Sequence, residues 1–354
     1  MSALMAHPGA RGAVVRRSAR GSRWSTVALG AVLVLLAALP FLVFESVTSS
    51  LFTLFVLIII ASMWNLLAGF GGMVSVGQQA FIGVGAYTVV GLADQGLSPF
   101  LALVFAALTA AVLAIPTSWL AFRLRGDYFA VGTWVIAEVY RLVVIKIDAL
   151  GGPSGRSLTG MSGIDQTLRS ALVYWSALGV AILTVGACYW LLRGRVGLAL
   201  TAVRDDDVAA RASGVDVARA KHIVYLASAA GCGAAGGLLA INALSVQPDA
   251  IFSVQWSAYM IFIVVIGGIG YLEGPIVGAI VFFALQQLLA DSGSWYLIVL
   301  GVLAAASAIW MPRGLWGQVI DRTGFRVFPV GYHLDLPTPA ATAPTPTTAQ
   351  EDRP

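Results

Sequence analysis

Long apolar runs alternate with short polar segments along almost the whole chain. The runs fall near residues 25–44, 51–70, 80–93, 98–122, 128–147, 171–192, 223–245, 257–272, 275–290 and 295–311. A bilayer needs about 20 consecutive apolar residues per helix. The pattern therefore predicts an all-α integral membrane protein, a polytopic bundle of about ten transmembrane helices within a range of about eight to ten. The runs at 80–93, 257–272 and 275–290 are short for full spans and rich in glycine, so they read as broken or re-entrant helices.

Three segments depart from this rhythm. Residues 1–24 form a basic tail, residues 193–222 form the longest polar connection inside the membrane domain 25–317, and residues 318–354 form a second tail. From about 335 that tail is rich in Pro, Thr and Ala, a composition that predicts disorder. The first apolar run is full length, and no A-x-A site closes it before Glu45, so it reads as an uncleaved helix rather than a signal peptide.

Composition agrees with the pattern. The chain is 58% apolar and 11% charged, with a mean hydropathy of +0.86, whereas soluble domains carry about 25% charged residues. Such a chain cannot cover itself with a hydrated surface. Soluble enzymes, disordered proteins and nucleic-acid binders are poor readings. The net charge of +4 does not reverse this, because the basic residues sit in short clusters between apolar runs, as orientation signals do. Placing Arg11, Arg16, Arg17, Arg20 and Arg23 in the cytoplasm and alternating ten spans puts 17 of the 21 basic residues on that side. Both termini are then expected to be cytoplasmic.

Several kinds of chemistry are missing. Neither Lys146 nor Lys221 stands in a Gly-x-x-x-x-Gly-Lys-Ser/Thr frame, so no P-loop holds ATP in this chain. The three histidines, His7, His222 and His333, have no metal-ligand spacing, and no G-x-S-x-G frame occurs. Cys188 and Cys232 lie inside apolar runs and read as packing residues. The expected set of resident cofactors and metals is empty.

Charges at membrane depth are costly and often functional. Glu138 and Arg141 are three apart on one apolar run, so they share a helix face and can pair. A structural ion pair and a place in a solute path both fit them. In the segment 193–222, residues 198–212 lack Pro and Gly and predict a surface helix. Asp207 and Arg211 are placed for an i,i+4 pair, and Gly214 is placed to end the helix.

Six ordered stretches carry a resemblance. They are GFGGMVSVGQQAFIGVGAY (69–87), RLRGDYFAVGTWVIAEVYRLVV (123–144), GGPSGRSLTG (151–160), the loop 193–222, GGIGYLEGPIVGAI (267–280) and MPRGLWG (311–317). Together they resemble the LivM-type branched-chain amino acid permeases of ABC importers, across roughly residues 50–317. The RLRGDY element and the GGP-S-G loop favour this type over its LivH-type companion. The match is looser at Tyr271-Leu272-Glu273, where the family more often has Ser followed by a bulky residue. It is also looser in GRVGLALTAVRDDD, which lacks the usual Trp and Glu.

The resemblance implies an assembly in a bacterial inner membrane. It comprises this chain, a homologous LivH-type permease, two cytoplasmic ATPases that carry ATP and Mg, and an extracytoplasmic substrate-binding protein. It also implies an ATPase-facing surface at Ala202, Arg204, Asp205, Ala209, Arg211 and Gly214. The solute expected is Leu, Ile or Val, with urea or short amides as the alternative within the family. A proton-coupled secondary carrier working through Glu138 is the rival from another class.

Polar residues also gather around the first glycine-rich stretch. Asn65, Ser75, Gln78, Gln79, Tyr87 and Thr88, with Glu138 and Arg141, are the candidate solute-path residues. Bonds to neighbouring helices would explain the uncharged six equally well. Gly233 and Gly237 read instead as a close helix-packing frame.

Overall fold

Each of the ten apolar runs contains a helix in the computed structural model, which describes residues 14–16, 22–42, 44–124, 126–159, 161, 165–289, 295–311, 313–323, 327–328 and 333–335. The helices are α1 (Ser22–Ala38), α2 (Glu45–Asn65), α3 (Gln79–Ala93), α4 (Pro99–Ala121), α5 (Asp127–Ile145) and α6 (Gln166–Arg193). Two short helices follow, α7 (Arg195–Asp205) and α8 (Asp207–Ala212). After them come α9 (Val217–Ala243), a single turn α10 (Pro248–Ile251), α11 (Gln255–Gly267), α12 (Gly274–Leu288), α13 (Trp295–Trp310) and α14 (Gly314–Thr323). Among the described residues, six segments are long and apolar enough to cross a membrane: Glu45–Phe70, Pro99–Ala121, Asp127–Ile145, Gln166–Arg193, Val217–Ala243 and Pro248–Gly267. Residues 30–41, α3 and α12 are shorter apolar helices.

The core is a small-residue contact among α3, α4 and α9. A Cβ built on Gly85 would lie 1.9 Å from the Gly233 carbonyl oxygen, and one on Gly236 would lie 1.8 Å from that of Ile82. A Cβ on Gly233 would meet Ala110, and one on Gly237 would meet Leu103 and Val89. Glycine here brings backbones together, as in other membrane helix pairs. Gly83 and Gly85 therefore sit inside an unbroken α3, contrary to the expectation that the run 80–93 is broken at its glycines. The break comes earlier. α2 ends in a π-turn over Leu66–Phe70, and residues 71–78 form a loop leading back into α3.

Contacts between loops sort the molecule into two ends. At one end Glu45 accepts from Ser170 at 2.6 Å, and Asp94 pairs with Arg156 at 2.8 Å. There β2 (Arg156–Ser157) pairs with β3 (Ser245–Val246). At the other end Phe122 lies edge-on to His222 at 4.8 Å, and the loop α7–α8 meets the turns at 69–72 and 268–273. The grouping is the one that alternating spans predict. Strand β1 (Val14–Arg16) pairs with β4 (His333–Asp335), which sets these two short segments side by side. The tail beyond 335, Arg11, Arg17, Arg20, Arg125, Arg326 and Arg353, and the side chain of Asp205 lie outside the described residues.

Candidate functional site

The surface helix expected over 198–212 is two helices. Asp206 is extended (φ −158°, ψ 111°), and its carboxylate accepts from the backbone N–H of Val208 at 2.8 Å and Ala209 at 3.1 Å. An aspartate that can cap a new helix competes with continuing the old one, and here the cap wins. The first helix also begins earlier than expected, at Arg195. Gly197 makes this possible, since a Cβ there would lie 1.7 Å from the Leu192 carbonyl oxygen.

Beyond the cap, Asp207 pairs with Arg211 at 3.2 Å and with Lys221 at 3.1 Å, which ties α8 to α9. Gly214 ends α8 with φ +81°. Val203, Ala210 and Val217 pack beneath the loop, with Ala202 partly buried against them. The outward side presents Val208, Ala209, Arg211 and Gly214. Val208 is 76% exposed, an apolar residue bare at a polar end of the molecule.

Arg204 behaves differently from its neighbours. Its Nη1 donates to the carbonyl of Gly69 at 2.8 Å, and a Cβ on Gly270 would lie 2.7 Å from the same nitrogen. Asn65 closes the junction from the α2 side. Its Nδ2 donates to the Tyr271 carbonyl at 2.8 Å, and its Oδ1 accepts from the Gly270 N–H at 2.9 Å. Gly270 holds φ +80°, a conformation that other residues rarely adopt, so the turn can pass this close. One arginine thus touches the π-turn after α2, and its guanidinium also lies beside the turn between α11 and α12.

The remaining uncharged candidates are mostly occupied by protein partners. The Ser75 carbonyl accepts from Trp64 Nε1 at 2.7 Å, and its hydroxyl accepts from the Gly77 N–H at 3.3 Å and Gln78 Nε2 at 3.4 Å. Gln78 Oε1 accepts from Ser228 at 3.2 Å, and Gln79 Oε1 accepts from Ser257. Thr88 donates to Val84 within its own helix at 2.8 Å. Tyr87 is the exception. It is buried, its ring stacks on Phe252 at 6.2 Å, and its hydroxyl has no hydrogen-bond partner among the described residues. Glu138 and Arg141 do pair, and Arg141 also reaches Asp249.

Sequence reasoning missed Trp64, Ser228 and Ser257, and also Thr133, whose hydroxyl accepts from the Val76 N–H at 3.1 Å, all isolated polar groups inside apolar runs. It also missed Glu273. This buried carboxylate, standing where the resemblance is loosest, accepts from the Phe328 N–H at 2.7 Å. The ring of Phe328 in turn lies 5.7 Å from that of Tyr189.

A polytopic α-helical bundle whose helices are interrupted at 71–78 and 268–273, with a polar two-helix loop at one end, is the architecture of a multi-pass membrane protein, and likeness to known proteins makes it a transport permease. The chain belongs to the family of branched-chain amino acid transport system permease components, whose model matches residues 46–308. It is 31% identical over 314 residues to the high-affinity branched-chain amino acid permease LivM of Escherichia coli, covering 81% of this chain and 74% of that one. The LivM of Salmonella typhimurium is 30% identical over the same shares. A fructose import permease, FruG of Bifidobacterium longum, is 25% identical over 272 residues, 72% of this chain and 79% of its own. No solved structure matches.

Proposed function

We propose that this chain is the LivM-type permease subunit of an ATP-driven importer for leucine, isoleucine and valine in a bacterial inner membrane. The family match supports the transport role, and the higher identity to two LivM proteins than to a fructose permease favours amino acids over sugars. The observation that carries the mechanism is the loop α7–α8, exposed on one side and joined through Arg204 to the Gly69 carbonyl on the other.

In this reading two cytoplasmic ATPases bind ATP and Mg, and one docks on this chain across Ala202, Asp205, Ala209, Arg211 and Gly214. Arg204 belongs to the same surface by position and turns its guanidinium inward. A LivH-type permease completes the solute path, and an extracytoplasmic binding protein delivers the solute. Both tails lie in the cytoplasm, a placement that the pairing of β1 with β4 and the arginine distribution support. Tyr87, with its unpartnered hydroxyl, is the solute-path candidate retained from the uncharged set.

The test is uptake of labelled leucine at low concentration in the native host, comparing a deletion strain with its complemented form. Loss on deletion, rescue on complementation and competition by valine alone are expected. Competition by urea or by fructose would move the substrate to amides or sugars. Uptake that collapses with an uncoupler of the proton gradient while ATP is maintained would instead favour a secondary carrier.

A further inference from the structure

The single turn α10 sits against both α3 and α5. On the α3 side, Phe252 closes the turn, is buried, and stacks its ring on Tyr87 at 6.2 Å. It fits because α3 carries glycine beneath it: a Cβ on Gly83 would lie 2.3 Å from that ring. On the α5 side, the Asp249 carboxylate accepts from Arg141 Nη1 at 2.5 Å. Arg141 lies about 6 Å along the helix from Ile145, at about 1.5 Å per residue. The cluster therefore stands near the end of the molecule where β2 pairs with β3.

Two hydrogen-bond donors in this cluster are poorly served. The Tyr87 hydroxyl is buried without a partner among the described residues, and the charge of Asp249 reaches it. A buried donor left unpaired costs free energy that an acceptor in another state of the molecule would return. Arg141 is held from one side by Glu138, which accepts from Nε and Nη2. The end of an arginine fork can grip a carboxylate through two parallel bonds, yet Asp249 meets it through Nη1 alone. The Asp249 side chain is also 79% exposed, and an ion pair so open to solvent is weak and readily exchanged. A staple holding α10 on α5 would explain the ion pair but not the unpartnered hydroxyl.

We propose that Arg141 and the Tyr87 hydroxyl form a binding site for a carboxylate group of the solute, with the chain's own Asp249 in the ligand's place on Arg141. The proposal rests on the importer reading above and deepens it by naming the group that is recognised. As the solute carboxylate takes the end of the Arg141 fork, Asp249 is released into water. Phe252 then leaves the notch at Gly83, which opens the Tyr87 hydroxyl to the same ligand. Glu138 stays on the other edge of Arg141 and holds the guanidinium in place. Urea and fructose carry no carboxylate, so neither can replace the charge of Asp249.

The test is thermal unfolding of the complete transporter, purified from the native host without its binding protein and titrated with leucine or leucinamide. Leucinamide keeps the side chain and amino group of leucine and lacks its carboxylate. A ligand that binds the native state raises the melting temperature, so leucine should raise it and leucinamide should not. Asp249→Asn removes the internal competitor and should lower the leucine concentration for half the shift several-fold. Arg141→Lys, which loses the fork, should raise that concentration several-fold. If the pair is only a staple, both variants melt lower and neither alters the response to leucine, which overturns the proposal. Equal shifts with leucine and leucinamide, or no shift with leucine, overturn it as well. ATP-driven leucine uptake by the same preparation, with binding protein restored, separates the two readings. Uptake that persists where the leucine shift is absent sinks the site alone, and loss of both sinks the importer reading with it. Should Arg141→Lys not accumulate, Asp249→Asn and the unaltered transporter decide.

Discussion

The guanidinium of Arg204 and the carbonyl of Gly69, 135 residues apart in sequence, are joined by a 2.8 Å hydrogen bond. The bond links a helix at the surface of the molecule to the break that ends α2. Replacing Arg204 with Ala removes a charge-assisted bond that contributes about 1 kcal/mol at such a partly exposed position. We expect Arg204→Ala to remain in the membrane and to lower solute uptake several-fold, with Arg204→Lys between it and the native chain. Uptake in vesicles, normalised to the amount of protein, checks this. Unchanged uptake in Arg204→Ala would remove the junction from the transport cycle.

Asn65 serves the same junction from the opposite side and is fully buried. Asn65→Leu would fill similar space and leave the Gly270 N–H and the Tyr271 carbonyl without their partner. A buried polar group left unpaired costs about 1–3 kcal/mol. The purified variant should therefore melt several degrees lower, and Asn65→Asp, which keeps the acceptor for Gly270, should lose less. Equal melting of the Leu variant and the native chain would mean that water replaces both bonds.

The contact of α3 with α9 predicts a harsher effect. A methyl group on Gly85 or Gly236 would overlap a backbone carbonyl oxygen of the facing helix, at 1.9 and 1.8 Å. Backbones cannot move aside as side chains can, so Gly236→Ala forces the helices apart and costs at least about 1–3 kcal/mol. Gly91→Ala and Gly179→Ala are the controls, because nothing lies within 4 Å of a Cβ at either position. Yield and thermal unfolding in detergent should fall for Gly236→Ala and hold for both controls.

What the sequence showed of this architecture follows the range of the interaction. Each apolar run marked a helix among the described residues, because a run needs only its own residues to make one. The pairs Glu138–Arg141 and Asp207–Arg211 were legible for the same reason, since three or four residues bring two side chains onto one helix face. Gly214 was legible as a cap, whereas Asp206 was not, because the same aspartate can sit inside one helix or begin another.

Long-range bonds left no such trace. Asn65, Ser75, Gln78 and Gln79 stood out as polar residues around an apolar break, but nothing local distinguishes a group facing solute from one facing another helix. Their partners, Tyr271, Trp64, Ser228 and Ser257, lie in distant runs or in the same helix as the break. Arg204 was picked for its place on a surface loop, and its reach toward Gly69 depends on how α7 packs against the turn Leu66–Phe70. Glu273 looked only like a departure from a family pattern until the chain brought Phe328 back to it.

Tyr87 offers the sharpest separation of fold from transport. Its hydroxyl is buried with no bonding partner among the described residues, and its ring packs on Phe252. Tyr87→Phe deletes only that hydroxyl. Removing an unsatisfied buried polar group is neutral to stabilising for the fold, because the desolvation cost of about 1–3 kcal/mol disappears with it. The melting temperature of Tyr87→Phe should therefore equal or exceed that of the native chain. If the hydroxyl meets solute during transport, the concentration giving half-maximal uptake should rise several-fold in the same variant. A stable Tyr87→Phe protein with unchanged uptake at every concentration would take Tyr87 out of the solute path. The opposite pairing, lower stability with normal half-saturation, would mean that the hydroxyl has a structural partner, such as a buried water, and that its role is packing.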